Sequence, residues 1–239
     1  MSGPRRRAGK AGSAKSGPAG RNLTVKVKTA GKRTASSARW LERQLNDPYV
    51  AEAKRLGYRS RAAFKLEPLD DRFGLIKPGA RIVDLGGAPG GWTQVAVERA
   101  KAREGRGHVV AVDLAPMEPV QGAEVLELDF LEPEAPKRIR AALGGPADLV
   151  MSDMAAPSTG HPQTDHLRIM ALAETAYDFA REVLAPGGAF LAKVLRGGTE
   201  RQLLEALKRD FGTVRHVKPP ASRADSAEIY VVATGFRGR

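Results

Sequence analysis

The latter two thirds of the chain alternate short apolar runs with longer stretches that have one apolar face. Seven apolar runs predict β-strands, at residues 81–85, 108–113, 123–128, 148–152, 189–194, 213–217 and 228–233. Between them lie predicted helices, at residues 93–102, 132–143, 164–184 and 199–211. This alternation predicts an α/β domain with a mostly parallel seven-stranded sheet and helices on both faces. The last two strands are joined by a loop, so we expect the final strand to be antiparallel.

The segment before the first strand predicts shorter helical pieces separated by breakers. Residues 38–45 form the first piece, and Asn46-Asp47-Pro48 ends it because the residue before proline disfavours the helical conformation. Residues 49–56 form the second, which Gly57 terminates. We expect Ser60 to cap a third helix that starts at Arg61 and is ended or kinked by Pro68.

The charge of the chain is concentrated at its N-terminus. Of its 39 Lys and Arg residues, 11 lie within residues 1–40, which contain no Asp or Glu, so 28 basic residues face 27 acidic ones in the remainder. Residues 1–36 are also rich in Gly, Ala and Ser. They predict a disordered basic tail, followed by a single domain over residues 37–239. Such a tail commonly contacts the phosphates of nucleic acid, although a solubilising role or an acidic protein partner would also fit.

Composition excludes several classes of protein. The chain has no cysteine, which rules out disulfides, thiolate metal sites and a cysteine nucleophile. No apolar run approaches the roughly 20 residues that span a bilayer, and the basic N-terminus lacks the apolar core of a signal peptide. The four histidines have no spacing typical of metal ligands beyond a weak pair, His161 and His166. We therefore expect a cytoplasmic protein without metal. A monomer is the default expectation, since the sequence does not give the oligomeric state.

The most informative segment is DLGGAPGGW, residues 84–92, which joins the first predicted strand to a helix. Glycines at such a turn let the backbone approach a ligand closely, and the helix start offers unpaired N–H groups. The glycines at 86, 87, 90 and 91 do not match the G-x-G-x-x-G of dinucleotide sites, which argues against a nucleotide-dependent oxidoreductase. An Asp followed by a rigid Pro-Gly-Gly turn suits S-adenosylmethionine better.

Charged residues recur where the predicted strands end, which is where open parallel sheets bind ligands. Each could instead be a turn former or a solvated surface residue, but together they indicate a site. They are Asp84, Asp113, Asp129, Asp153, Lys193 and Glu228. Lys193 is distinctive because it lies within an apolar strand, where a lysine is costly to bury unless it is paired or used, or lies on an edge strand. Asp113 is placed to accept hydrogen bonds from ribose hydroxyls, and Asp129 could contact an adenine.

In these motifs the chain resembles the FtsJ/RlmE family of S-adenosylmethionine-dependent ribosomal RNA 2′-O-ribose methyltransferases. The matching segments run in register through nearly the whole predicted domain, and only residues 1–36 fall outside them. They are residues 37–41, 47–50, 57–66 (GYRSRAAFKL), 84–92, 113–117, 151–154, 184–188 (LAPGG), 193–194, 222–224 and 228–235 (EIYVVATG). The resemblance implies a Rossmann-like, class I methyltransferase fold.

The resemblance also implies roles for particular residues. The family's catalytic Lys-Asp-Lys-Glu set corresponds to Lys65, Asp153, Lys193 and Glu228, and its cofactor contacts to Gly90, Trp92, Asp113, Asp129 and Asp153. The implied cofactor is S-adenosylmethionine, and no metal is required. Two positions depart from the pattern: Gly87 replaces a frequent alanine, and Ala155-Ala156-Pro157 stands where relatives often have Ala-Pro-Asn. A role carried over for that asparagine is therefore unsupported.

The implied substrate is a uridine 2′-hydroxyl in large-subunit (23S) ribosomal RNA, within an assembled or assembling large ribosomal subunit. Lys54, Arg55, Arg59 and Arg61 precede Lys65 and could form a basic face for RNA, or a solvated helix surface. Three questions stay open. Lys193 could act as a neutral base or as a charged group that stabilises the developing alkoxide. The RNA could instead be a tRNA or an mRNA cap. The chain could also be a non-catalytic RNA-binding ribosome-assembly factor.

Overall fold

The computed structural model describes residues 41–197 and 200–238. The predicted basic tail and the predicted domain boundary at residue 37 lie outside these residues. Contacts divide the chain into a unit of residues 1–48 and a unit of residues 49–239. In the first unit residues 41–45 are helical, and the Asn46 side-chain amide donates to the Glu42 carbonyl oxygen at 2.8 Å. The second unit contains the sheet.

All seven predicted strands form one sheet. They are β1 (Arg81–Leu85), β2 (His108–Asp113), β3 (Ala123–Glu127), β4 (Ala147–Ser152), β5 (Leu184–Leu195), β6 (Phe211–Val217) and β7 (Glu228–Phe236). Their order is β3-β2-β1-β4-β5-β7-β6, and β7 pairs antiparallel with both β5 and β6. The prediction of a mostly parallel sheet with an antiparallel last strand is therefore confirmed.

Besides the helical residues 41–45, six α-helices precede, connect or flank the strands in the part of the chain that is described. They are α1 (Pro48–Leu56), α2 (Ala63–Phe73), α3 (Gly91–Ala100), α4 (Ala135–Leu143), α5 (Pro162–Val183) and α6 (Glu200–Asp210), with a short 3₁₀ helix at Ala102–Glu104. Two buried clusters hold these layers together. One joins α4, α5 and α6 to the sheet, and the other joins α2 and α3 to it.

Two local predictions about α2 are wrong. The helix starts at Ala63 rather than Arg61, because the Ser60 hydroxyl accepts a bond from the Ala62 N–H at 3.3 Å within a preceding turn. The helix also continues through Pro68 to Phe73, so Pro68 does not end it; a kink at Pro68 stays a prediction. Leu66 and Leu69, on either side of the proline, are fully buried against the sheet. Their burial outweighs the loss of one backbone hydrogen bond at Pro68.

Asp70, near the end of α2, ties three pieces of chain together. Its Oδ1 accepts the Ile76 N–H at 2.7 Å, and its Oδ2 accepts from Arg99 on α3. The neighbouring Asp71 also contacts Arg99, at 2.7 Å, but its side chain is 67% exposed. The two aspartates therefore contact the same arginine from a buried and an exposed position.

We expect Asp70→Ala to lower the free energy of unfolding by about 2–4 kcal/mol, because it leaves the buried Ile76 N–H without an acceptor and removes the buried one of the two carboxylates that contact Arg99. Asp71→Ala is the matched control and should cost about 0–1 kcal/mol. Urea denaturation of both variants measures the difference. Equal losses would show that the buried position of Asp70 confers no added stability.

Candidate active site

Four charged side chains meet at the edge of the sheet where the parallel strands end. Lys65 comes from α2, Asp153 directly follows β4, Lys193 lies on β5 and Glu228 begins β7. The antiparallel pairing of β5 and β7 sets Lys193 opposite Tyr230 and Leu195 opposite Glu228. The start of β7 and the end of β5 therefore share one edge. The four residues implied by the family resemblance are brought together.

Lys193 and Asp153 form the shortest salt bridge of this cluster. The Lys193 ammonium lies 2.8 Å from Asp153 Oδ1 and donates to the Asp153 carbonyl oxygen, also at 2.8 Å. Burial acts to raise the pKa of the Asp153 carboxyl, but the charges of Lys193 and Lys65, with hydrogen bonds from Lys193 and Tyr230, outweigh it. The pKa is therefore held below its ordinary value, and Asp153 is an anion at neutral pH.

Lys65 lies between the two carboxylates. Its Nζ is 2.9 Å from Glu228 Oε1 and 3.8 Å from Asp153 Oδ2. The side chains of both lysines are only 8% exposed. Two buried cations thus face two carboxylates, which is the arrangement that permits their burial. The two formal positive charges are therefore matched by two formal negative charges within the cluster.

Tyr230 is a member of the cluster that sequence reasoning missed. Its hydroxyl donates to Asp153 Oδ1 at 2.6 Å and lies 3.0 Å from Lys65 Nζ. Burial raises its pKa well above the ordinary value, and the charges of Asp153 and Glu228 add to the effect, so the phenol stays neutral. Strand alternation gave a usable signal, because Tyr230 lies two residues from Glu228 and thus on the same face of β7.

The glycine loop between β1 and α3 lies beside this cluster. Gly90 is the N-cap of α3 with φ of 116°, and the first helical bond runs from the Gln94 N–H to the Gly90 carbonyl at 2.9 Å. The N–H groups of residues 91–93 are therefore available to a ligand. At Gly86 a Cβ atom would lie 2.8–3.0 Å from atoms of Met154, so glycine permits the close approach of the chain after β4.

A cavity of about 280 Å³ opens at the ends of β1, β2, β3 and β4. Two carboxylates, Asp113 and Asp129, line it together with apolar side chains that include Leu114, Phe130 and Met154. Asp113 is held in place by the N–H groups of Ala88, at 2.9 Å, and Ala115, at 2.8 Å. Carboxylates that accept from hydroxyls, next to an apolar wall for a flat ring, are chemically suited to a nucleoside.

The remaining predicted cofactor contacts lie elsewhere. Gly90 and Trp92 are not among the residues that line the cavity. Trp92 is 2% exposed, its indole N–H donates to the Ala62 carbonyl at 2.8 Å, and its ring packs on Tyr230 with 5.7 Å between centroids. The indole is thus a core side chain that supports Tyr230.

Part of the predicted basic face is used within the protein. Arg59 donates to the carbonyl oxygens of Pro89, Glu118 and Pro119, which ties the glycine loop to the segment after β2. The Arg61 guanidinium donates to the Ala221 carbonyl, in the loop before β7. Arg55 pairs with Glu52 on the surface. Arg59 and Arg61 therefore organise the site as well as contributing positive charge.

Asp84 is the one fully buried carboxyl at the glycine loop. Its Oδ2 accepts from the Thr93 hydroxyl at 2.7 Å, whereas its Oδ1 has no hydrogen-bond partner among the described residues. Burial raises the pKa of Asp84 to about 7, and the nearby Asp153 and Asp113 charges add to the increase.

Among the described residues no cluster of three or more His, Asp or Glu side chains could hold a metal ion, and no helix could cross a membrane.

The sheet order, the glycine loop and the charged cluster define a Rossmann-like methyltransferase, and the comparisons specify which kind. The FtsJ-like methyltransferase model matches residues 58–236. The chain belongs to the FtsJ-like methyltransferase family. It is therefore an enzyme of the methyltransferase class.

Named relatives cover almost the full length. The chain is 66% identical over 227 residues to a Ribosomal RNA large subunit methyltransferase E of Paramagnetospirillum magneticum, covering 93% of each chain. It is 64% identical to the protein of that name from Xanthobacter autotrophicus, covering 93% of this chain and 87% of the relative. Among solved structures, a Plasmodium falciparum protein assigned as a ribosomal RNA methyltransferase matches with a TM-score of 0.68 and 28% identity, covering 76% of this chain and 100% of that one.

The buried Asp84 predicts a pH dependence of stability. Because its folded-state pKa, about 7, lies above the ordinary value of 3.8, the folded protein binds a proton that the unfolded chain has lost at intermediate pH. This contribution to stability is complete below about pH 4 and is lost as pH rises through about 7. Asp84→Asn removes it, so the stability of wild type relative to Asp84→Asn should fall by about 2–3 kcal/mol between about pH 5 and about pH 7.5. Urea titrations at the two pH values measure this difference, and a constant difference would contradict it.

Proposed function

We propose that this protein transfers a methyl group from S-adenosylmethionine to the 2′-hydroxyl of a uridine in large-subunit ribosomal RNA. The proposed substrate is the assembled or assembling large subunit, which would place the enzyme in the cytoplasm. The observation that carries the proposal is the buried cluster of Lys65, Asp153, Lys193 and Glu228 next to a cavity suited to a nucleoside. The names of the relatives at 60–66% identity support the RNA substrate.

The residues at the cavity fit the proposed cofactor. Asp113 and Asp129 would accept hydrogen bonds from the ribose and adenine, and the apolar wall would contact the adenine ring. The N–H groups at the start of α3 would bind the carboxylate of the amino-acid part. When bound, S-adenosylmethionine supplies a methyl group already activated by its sulfonium.

The chain's own contribution is the positioning of an alcohol and the removal of its proton. In our proposal Lys193 accepts the proton of the 2′-hydroxyl, while Lys65 and Glu228 orient the ribose. Asp153 holds Lys193 through two contacts of 2.8 Å, one to its carboxylate and one to its carbonyl oxygen. Tyr230 stays a neutral donor that fixes the Asp153 carboxylate.

A second version of the mechanism keeps Lys193 charged throughout. Its contacts with Asp153 are those that an ammonium group makes, and a charged Lys193 would stabilise the developing alkoxide. The family resemblance leads us to favour the neutral base. The two versions differ in what an arginine can do at this position, because guanidinium keeps the charge but cannot serve as a base at neutral pH.

The rival readings have less support. Methylation of a tRNA or of another RNA would use the same residues, so only the substrate would change. A non-catalytic assembly factor would have no need for two lysines and two carboxylates in contact at the sheet edge, and all four are present. The basic tail is proposed to add RNA affinity, since the rest of the chain carries almost balanced charge.

Replacement of Lys193 tests the catalytic assignment. We expect Lys193→Ala to lower methyl transfer to large subunits lacking the modification by at least about 10²-fold, with little change in S-adenosylmethionine affinity. Transfer of labelled methyl groups and calorimetric binding measure the two effects. Lys193→Arg should be equally inactive if the lysine is the base. Substantial activity of the arginine variant would favour the charged version, and normal turnover of the alanine variant would remove Lys193 from the mechanism.

Replacement of Asp113 tests the cofactor site. Asp113→Ala is expected to weaken S-adenosylmethionine binding by about tenfold or more, because it removes the proposed acceptor for the ribose hydroxyls and frees the Ala88 and Ala115 N–H groups. Lys193→Ala serves as the matched control in the same calorimetric titration. A dissociation constant that does not change on Asp113→Ala would exclude its role in binding.

A further inference from the structure

The loop between β6 and β7 is fastened to the protein by two cations. The Lys218 ammonium donates to the carbonyl oxygens of Ala224, at 3.1 Å, and Ser226, at 2.6 Å. From the turn before α2, the Arg61 guanidinium donates to the Ala221 carbonyl. Three carbonyl groups of this loop are thus held by charged donors, which gives its backbone a defined shape immediately before Glu228.

Ser222 lies at the centre of this loop and reaches into the charged cluster. It is 7% exposed, and its hydroxyl donates to Glu228 Oε1 at 2.9 Å. The same oxygen is 2.9 Å from Lys65 Nζ, whereas Glu228 Oε2 is 3.9 Å from Lys193 Nζ. Glu228 Oε2 also accepts from Lys65 Nζ, at 3.1 Å. The hydroxyl therefore holds the carboxylate close to Lys65 and at the outer limit of salt-bridge distance from Lys193.

We propose that Ser222 is a positioning residue for methyl transfer and acts through Glu228. Without its hydrogen bond the carboxylate can rotate toward Lys193, where a second negative charge beside Asp153 would favour the ammonium form. A lysine that must lose its proton to act would then be ready only at higher pH. This inference rests on the proposed function, in which Lys193 is the base and Glu228 orients the ribose.

Ser222→Ala should lower kcat for methyl transfer by about tenfold, the effect of one hydrogen bond to a charged group. The KM for the RNA substrate and the Kd for S-adenosylmethionine should stay within about twofold, because Ser222 touches neither in this proposal. The pH at which the rate reaches half its maximum should move upward. Ser222→Thr keeps the hydroxyl and should restore both the rate and the pH profile.

Ser226→Ala is the control within the same loop. The Ser226 hydroxyl accepts the Glu228 backbone N–H at 3.1 Å, so its loss disturbs the loop but removes no bond to the carboxylate. Its kcat should stay within about threefold of wild type, with an unchanged pH profile. Equal losses of rate in the two alanine variants would mean that loop integrity alone matters, and would overturn the proposal.

A double-mutant cycle tests the path of action. If Ser222 acts through Glu228, the double variant Ser222→Ala/Glu228→Gln should be little slower than Glu228→Gln alone. The slow rates of these variants are measured from the label that accumulates in the RNA over hours. Additive losses would overturn the proposal, as would an unchanged kcat and pH profile in Ser222→Ala. The wild-type enzyme is assayed in parallel. If it transfers no methyl group to any RNA, the proposed function fails. If it is active and the losses are additive, only the role of Ser222 is rejected.

Discussion

The site depends on the antiparallel insertion of β7 beside β5. This pairing sets Tyr230 opposite Lys193 and brings Glu228, the first residue of β7, to the edge where β4 delivers Asp153. Lys65 then completes the group from α2. Two lysines can be almost fully buried there only because two carboxylates lie within salt-bridge distance. A parallel β7 would carry Glu228 to the opposite edge and leave both cations without sufficient counter-charge.

The same edge of the sheet connects the charged cluster to the neighbouring cavity. Asp153 contacts both lysines, and Met154, the next residue along the chain, already lines the nucleoside-sized cavity. The chain therefore passes from the charged cluster to this cavity within one peptide unit. The close approach of Met154 to the glycine loop requires glycine at position 86. Asp113 and Arg59 both bond to the glycine loop, and these bonds limit movement of the loop between the charged cluster and the cavity.

The sequence predicted the fold well because the five inner strands of the sheet are largely buried on both faces and so appear as apolar runs. Lys193 and Glu228 could be identified as candidate site residues for the same reason, because each is a charged residue within or beside such a run. Lys65 came only from the family resemblance, since a lysine on a helix is ordinarily a surface residue. Tyr230 was missed because a tyrosine is an ordinary residue in an apolar strand. Ser222 was missed because its contact with Glu228 depends on the folding of a loop. Pro68 misled the prediction of α2, since burial of neighbouring leucines depends on tertiary structure.

The measurement that tests the account most directly is nucleoside analysis of large-subunit RNA after incubation of unmodified subunits with the wild-type enzyme and labelled S-adenosylmethionine. The account predicts that the label elutes as 2′-O-methyluridine and maps to one position. In the proposed mechanism the cluster deprotonates a ribose hydroxyl, a step that has no part in methylating a base carbon or nitrogen. Label recovered in a base-methylated nucleoside would therefore contradict the central claim.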